Sequence, residues 1–413
     1  MPGPRTTSRG RLVGLTGAAL LVAGVATGQL FAVQAGALLA LALAAAGLVM
    51  AATAATSTRL PLEVTRDLTP AALHVGDQGE VRVHVRSLSG LTRPDRLTFR
   101  EDGDPSLHDG GAPDPEVSTH GREVTLTYPV HATRRGRLHL GPLDLHHGDP
   151  FGLLVGHVPV GDVAPVAVRP RVVPLDVVDA VASHEAERPA SGTPQPAVDD
   201  TALRPYRTGD DLRRVHWPAT ARRGSLLVRQ PERTGRRSAS VVLDLDPDEA
   251  ATEWTISTGT SVALALLAGG HHTRLLAGGT LDDHPEARAD HHPPDTGEAA
   301  REEILDHATD LEAPQDAAQA DRWLRTALGT LLADPGGTEV VVAVLRAPSG
   351  EALRTLALLG DGGRAWAMVH PGPGAVSAVT ALRRAGWCAA EVEPHQDPAE
   401  AWTALVASAG AAP

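Results

Sequence analysis

The stretch SVVLDLDPD at residues 240–248 begins the pattern that decides the fold of the C-terminal half. Its first six residues form a mostly apolar, strand-like run, and the Asp-Pro-Asp that follows is typical of a turn. Strand-like runs then alternate with helical stretches. The predicted strands are 240–245, 273–277, 339–345, 364–369 and 388–392, and the predicted helices are 253–269, 316–333, 374–386 and 398–410. This alternation predicts an α/β domain with a mainly parallel sheet over residues 238–413. The charged segment 281–300 is predicted to be a disordered excursion.

The preceding part of the chain, residues 60–182, has apolar residues at every second position. Val81, Val83 and Val85 alternate with polar residues, and the run from Val124 to Val130 repeats the pattern. A period of two is typical of half-buried strands, so we expect an antiparallel β-sandwich here. Residues 183–200 lack periodicity and are predicted to be a linker. They lead into an arginine-rich segment at 201–237.

The N-terminal part of the chain is apolar. No Asp, Glu, Lys or Arg occurs from Leu12 to Thr58, whereas one membrane-spanning helix needs only about 20 residues. We expect two transmembrane helices near 12–28 and 33–55. Arginines precede and follow this run, and the turn between the helices has none, so the positive-inside rule places residues 1–11 and the large C-terminal region in the cytoplasm. The expected location is the inner (cytoplasmic) membrane, as a multi-pass protein in the lipid bilayer. The alternative is a secretory signal peptide in the first segment.

Composition limits the classes of function. The chain has 413 residues and a net charge of -13, so we expect no nucleic-acid binding, which usually needs a basic surface. Cys388 is the only cysteine, which excludes a multi-cysteine metal site. The phosphate-binding loop, the zinc-protease helix motif and the nucleophile elbow are all absent. We therefore predict a binding protein and not an enzyme.

Three carboxylates follow the first predicted strand of the α/β domain. Asp244, Asp246 and Asp248 could hold Mg²⁺ or Ca²⁺, since hard cations prefer carboxylate oxygens. The structural alternative is an acidic loop at the carboxyl end of a strand, and otherwise we expect no cofactor. If these residues do bind a cation, the chain could instead be a divalent-cation-dependent enzyme. A structural scaffold is the third hypothesis.

The arginine-rich segment LRPYRTGDDLRRVHWPATARRGSLLVRQ, residues 203–230, contains seven arginines and only two acids. Three interpretations remain open. The arginines could clamp the connector to acidic groups of the domains, because guanidinium groups commonly form buried or interface ion pairs. They could form a docking surface for a protein partner, since arginine and aromatic residues are enriched at binding hot spots. They could also bind anionic lipid or nucleic acid, of which lipid is favoured beside a membrane anchor.

This segment resembles the signature of the bacterial family called domain of unknown function 58 (DUF 58). The matching residues are Tyr206, Gly209, Asp210, Arg213, Val215, His216, Trp217, Ala221 and Arg222. Residues 134–154, RRGRLHLGPLDLHHGDPFGLL, resemble the upstream elements of the family. Two N-terminal membrane helices and a β-rich domain are also usual in it.

The resemblance implies an accessory or adaptor protein. Members of the family are often encoded beside MoxR-type AAA+ ATPases and are similar to the von Willebrand factor A-like partners of those ATPases. It implies a von Willebrand factor A-like (Rossmann-like) α/β C-terminal domain and a role in maturation of membrane or envelope proteins. In such domains an Asp-x-Ser-x-Ser motif holds a divalent cation, and here Asp246 and Asp248 stand where the serines would be. The residues expected at or beneath the docking surface are Tyr206, Gly209, Asp210, Arg213, Arg214, His216, Trp217 and Arg222.

Overall fold

The chain forms two compact units, Met1–Arg169 and Pro170–Pro413, in the computed structural model. The structure describes residues 5–57, 62–88, 98–108, 114–121, 123–149, 151–177, 203–205, 227–229, 238–278, 292, 297–333, 340–360 and 364–410. The predicted linker at 183–200 lies outside these residues.

The first unit begins with a helical hairpin, α1 (Ser8–Thr27) and α2 (Leu30–Ser57). The side chain of Thr7 caps α1 by accepting a hydrogen bond from the Gly10 N–H, and Gly28 ends the helix with a φ of 68°. Both helices are long and apolar enough to cross a membrane. Two apolar helices are therefore confirmed where the sequence predicted them, and each is longer than expected.

Close packing within the hairpin depends on glycine. A Cβ atom added at Gly24 would lie 2.7 Å from the backbone nitrogen of Val33, and one added at Gly36 would lie 2.8 Å from the carbonyl oxygen of Gly17. Small residues allow two helix backbones to approach in this way.

In the described part of the first unit, ten strands follow or flank the hairpin. They are β1 (Arg5–Thr6), β2 (Leu62–Thr69), β3 (Leu73–His74), β4 (Gln78–Ser87), β5 (Thr98–Gly103), β6 (Glu116–His120), β7 (Glu123–His131), β8 (Gly136–Gly148), β9 (Leu154–Val160) and β10 (Ala164–Arg169). One sheet has the order β2-β4-β7-β6. The other has the order β1-β9-β8-β10-β3, with β5 also paired to β8.

The two sheets share one hydrophobic core. Alternate residues of β4 and β7, such as Val83 and Leu126, pack with Leu143 and Leu145 of β8 and Val158 of β9. Among the described strands of this unit, all pairings are antiparallel except that of β3 with β10. The period-two pattern therefore predicted a two-sheet arrangement correctly.

The hairpin is docked on this sandwich through β1 and β9. Arg5 and Thr6 pair with Val155 and Leu154, and the Thr7 N–H donates to the Leu153 carbonyl oxygen at 2.9 Å. Near the other end of the hairpin, Met50 packs with Leu153 and Leu154. Both ends of the hairpin therefore lie against the same loop of the sandwich.

The second unit contains a five-stranded, wholly parallel sheet. Its strands are β13 (Ser238–Leu243), β14 (His272–Ala277), β15 (Val340–Leu345), β16 (Ala365–Val369) and β17 (Cys388–Glu391), and a separate ribbon consists of β11 (Leu203–Pro205) and β12 (Leu227–Arg229). The order β14-β13-β15-β16-β17 is 2-1-3-4-5 within the sheet. The chain direction across the sheet reverses at β13 and β15, which makes their carboxyl ends a topological switch point.

Six helices of the described residues cover the two faces of the sheet. They are α3 (Glu249–Ala268), α4 (Glu298–Thr309), α5 (Ala317–Ala333), α6 (Gly350–Leu359), α7 (Ala375–Arg384) and α8 (Pro398–Gly410). Residues of α3, α4 and α8 pack on one face, and residues of α5, α6 and α7 pack on the other. The sequence did not predict α4 or α6, and the expectation of disorder was wrong for residues 298–300, which begin α4. The segment 170–177, expected in the sandwich, packs into the α/β core through Val172, Leu175 and Val177.

Candidate functional site

The arginine-rich signature lies between the two strands of the ribbon. β11 and β12 pair antiparallel, with Leu203 opposite Arg229 and Pro205 opposite Leu227. The ends of the signature are therefore brought together, although they are far apart along the chain. Its predicted docking residues, Tyr206, Gly209, Asp210, Arg213, Arg214, His216, Trp217 and Arg222, lie outside the described residues, so their role stays a prediction.

A second candidate site is the switch point of the parallel sheet, where ligands commonly bind in open α/β folds. Asp244 follows β13 and Arg346 follows β15. The Arg346 Nε donates to Asp244 Oδ1 at 3.0 Å, and the Arg346 backbone N–H donates to Asp244 Oδ2 at 3.1 Å. The Arg346 Nη2 reaches the exposed Asp321 at 2.8 Å. The Asp244–Arg346 ion pair thus occupies the switch point, where a ligand commonly binds in this class of fold.

Burial dominates the protonation of Asp244, which is only 1% exposed. Loss of water raises the pKa of Asp244 to about 7, although the nearby charge and the hydrogen bonds of Arg346 act in the opposite direction. The arginine therefore offsets only part of the cost of placing this carboxyl group in the interior.

The other two predicted cation ligands have local structural roles. Asp246 Oδ1 accepts the Asp248 N–H at 2.8 Å and so shapes the turn. Asp248 is the N-cap of α3, since its Oδ2 accepts the Ala251 N–H at 2.9 Å. Cation binding by Asp244, Asp246 and Asp248 stays a prediction, and these contacts favour the acidic-loop alternative.

His370, which sequence reasoning missed, lies at the same edge of the sheet, directly after β16. Its ring meets that of Trp254 with centroids 5.3 Å apart, and its Nε2 is 3.4 Å from Thr255 Oγ1. Burial lowers the pKa of His370 to about 4, and the charge of Asp246 only partly opposes this shift. A polar residue at the end of a buried strand was the only signal in the sequence.

A third cluster, also missed, lies on the β-sandwich. Asp144 and His146 project from β8, and His157 projects from β9, on the side of that sheet away from the core. Among the described residues these three form the only group whose ligand atoms are spaced for a metal ion. Burial and the neighbouring His157 lower the pKa of His146, and Asp144 opposes that shift. The available signal was the spacing of 144 and 146, which puts both side chains on one face of a strand.

The fold and these sites define a class of protein: an apolar helical hairpin docked on a β-sandwich, in one chain with a parallel α/β unit whose switch point holds an ion pair. Residues 202–345 match the model of the family described as "Protein of unknown function DUF58". The match begins just before β11 and ends with the last residue of β15. It therefore includes the ribbon, the signature and the first three strands of the parallel sheet. No curated protein matches the chain.

Proposed function

We propose that this protein is a membrane-anchored adaptor that works with a MoxR-type AAA+ ATPase in the maturation or assembly of membrane or envelope proteins. The observation that carries the proposal is the pairing of β11 with β12. Because the two strands pair, residues at both ends of the arginine-rich segment lie beside each other. A segment held at both ends in this way is suited to binding a partner.

Charge supports a docking role for the signature. The whole chain has a net charge of -13, yet residues 203–230 contain seven arginines and only two acids. Such a local excess of positive charge steers association with an acidic surface, and arginine beside tryptophan and tyrosine is typical of interface hot spots. The proposed function of the segment is binding, with Arg213, Arg214, His216, Trp217 and Arg222 at or beneath the contact.

The proposed location is the inner membrane, with both ends of the hairpin in the cytoplasm. Arg5 lies in β1, and Arg9 and Arg11 lie at the start of α1. The pairing of β1 with β9 and the packing of Met50 on Leu154 support a common side for both helix ends and the sandwich.

We further propose that the α/β unit is a von Willebrand factor A-like domain. Its parallel sheet, its helices on both faces and the acidic loop after the first strand support this assignment. Asp244 in that loop is paired with Arg346, so the proposed role of the domain is protein binding without a bound cation.

The test is affinity purification of the full-length protein from detergent-solubilised native membranes, with quantitative mass spectrometry. The test variant carries Arg213→Glu and Arg214→Glu. A matched control carries Arg322→Glu and Arg325→Glu, which make the same charge change at two exposed positions of α5. We expect an AAA+ ATPase with the wild-type protein and with the control, and its loss from the signature variant.

Two results would contradict the proposal. One is that no AAA+ ATPase accompanies the wild-type protein. The other is equal recovery of the ATPase with all three forms, which would remove the signature from the interface. If instead the signature variant fails to fold while the control folds, the arginines are an internal clamp.

A further inference from the structure

We propose that Asp144, His146 and His157 bind one divalent transition-metal ion of the zinc type on the β-sandwich. The three residues are fixed by regular strand geometry. Asp144 and His146 are two apart on β8, so their side chains share one face, and His157 is directly opposite His146 in the β8–β9 ladder. The backbone of two paired strands therefore holds the three ligands in place.

The distances between the ligand atoms match a shared ion. His157 Nδ1 is 3.0 Å from Asp144 Oδ2, and His146 Nε2 is 3.4 Å from the same oxygen. All three atoms lie within 4.8 Å of one another. Zinc–ligand bonds of about 2.0–2.2 Å in a tetrahedral arrangement place neighbouring ligand atoms roughly 3.3–3.6 Å apart. An ion can therefore bind here after small rotations of the side chains.

The donor set selects the class of metal. Two imidazole nitrogens and one carboxylate oxygen suit zinc and the neighbouring transition metals, whereas Ca²⁺ and Mg²⁺ prefer sites made only of oxygen. The three side chains are each about 30% exposed, so an ion can enter from solvent. Three protein ligands leave one position for water or for an added ligand.

The same three residues line a pocket of about 520 Å³, so a small molecule in that pocket would lie beside the ion. The pocket is lined by Arg100, Glu101 and His108 in addition to the cluster. Both ring nitrogens of the buried His108 and the Oε2 atom of Glu101 have no hydrogen-bond partner among the described residues. Unpaired buried polar groups are costly, so they point to a polar ligand, and the guanidinium of Arg100 favours an anionic one.

The competing explanation is that the histidines only stabilise the sheet, His157 through its hydrogen bond to Asp144 and His146 through its ion pair with the same carboxylate. The two explanations differ in what zinc does. A metal site gives the wild-type protein added stability in the presence of Zn²⁺, because the folded state binds the ion. A hydrogen-bond cluster gives the same stability with Zn²⁺ and with a chelator.

The experiment measures Zn²⁺ binding by the full-length protein in detergent micelles, by competition with a chromophoric chelator, and the melting temperature of the sandwich by circular dichroism with and without Zn²⁺. The test variants are His146→Ala and Asp144→Asn. Asp144→Asn keeps the side-chain shape, so a loss of Zn²⁺ binding in this variant is not due to misfolding. The control is His139→Ala, which removes an exposed histidine from the same strand outside the cluster.

We expect one Zn²⁺ per chain, bound equally by the wild-type protein and the control. Both test variants should bind Zn²⁺ at least about tenfold more weakly. Loss of a residue that only hydrogen-bonds to a metal ligand already lowers metal affinity 10- to 100-fold. Zn²⁺ should raise the melting temperature only where it binds. The proposal is overturned if the wild-type protein takes up no Zn²⁺, or if all four forms bind it alike, which would assign the uptake to other histidines.

Discussion

Asp244 and Arg346 are 102 residues apart in the sequence and meet at the switch point of the parallel sheet, with the Arg346 Nε 3.0 Å from Asp244 Oδ1. Each follows a buried strand, and the two strands are neighbours. The pair joins the loops after β13 and β15 at the edge where this class of fold usually holds a ligand. Removing the ion pair therefore tests whether it stabilises the fold at this edge of the sheet.

Replacing Arg346 with methionine should destabilise the α/β unit by about 3–5 kcal/mol, because it leaves the buried carboxyl group of Asp244 without its partner. The free energy of unfolding can be followed by tryptophan fluorescence. All six tryptophans lie from Trp217 to Trp402, so the signal reports the second unit. Adding Asp244→Asn to the variant should restore part of the loss. Arg354→Met, at an exposed position of α6, is the control. If Arg346→Met lowers the free energy of unfolding no more than this control does, the ion pair does not stabilise the fold.

His370 should make the stability of the same unit sensitive to acid. Burial lowers the pKa of His370 to about 4 in the folded state, whereas an unfolded histidine titrates near 6.5. Between these values the unfolded chain binds the extra proton, so stability falls as the pH falls from about 6.5 towards 4. One proton corresponds to at most about 1.4 kcal/mol per pH unit.

The measurement is the unfolding free energy of the wild-type protein and of His370→Gln from pH 7.5 to pH 4.5. The wild-type curve should fall more steeply than that of the variant within the stated window. His395→Gln is the control, because His395 is exposed on the same unit. Parallel curves for the wild-type protein and His370→Gln would contradict the prediction.

The regular elements could be predicted because their patterns are local. The alternation in β4 and β7 indicated one buried face, and the apolar runs of β13 and β15 indicated strands buried on both faces. The helix α4 was missed because its buried face has only two large apolar residues, Ile304 and Leu305, beside Ala300, Ala308 and Thr309. Alanine gives little apolar contrast, so the helical period is weak.

The candidate sites could be predicted only where their residues are close together in the sequence. The sequence shows Asp244, Asp246 and Asp248 together, but it does not show that Arg346 reaches the first of them. The pairing of His157 with His146 likewise depends on the register between β8 and β9. Register follows from the packing of a whole sheet, and a short motif does not contain it.

Gly10 should be required for docking of the helical hairpin on the sandwich. A Cβ atom added there would overlap the Leu153 carbonyl oxygen, which accepts the Thr7 N–H. Gly10→Ala should therefore separate β1 from β9 and speed hydrogen exchange of those amides by more than tenfold. Gly14→Ala is the matched control, because its added atom makes only an ordinary contact with Leu43. Equal rates of amide hydrogen exchange in the two variants would show that the loop containing Leu153 moves to accommodate the added atom without weakening the docking.

The proposed orientation predicts opposite labelling of two introduced cysteines. In a Cys388→Ala background the chain has no other thiol. Gln29→Cys lies in the turn between α1 and α2, and Val163→Cys lies at an exposed position of the sandwich. The arginines at the start of α1 favour the cytoplasmic side, so a membrane-impermeant maleimide should label position 29 in right-side-out vesicles and position 163 in inverted vesicles.

The reverse labelling pattern would place the β-sandwich outside the cytoplasm. Labelling of position 163 in right-side-out vesicles, together with loss of the first helix from the mature chain, would identify that helix as a cleaved signal peptide.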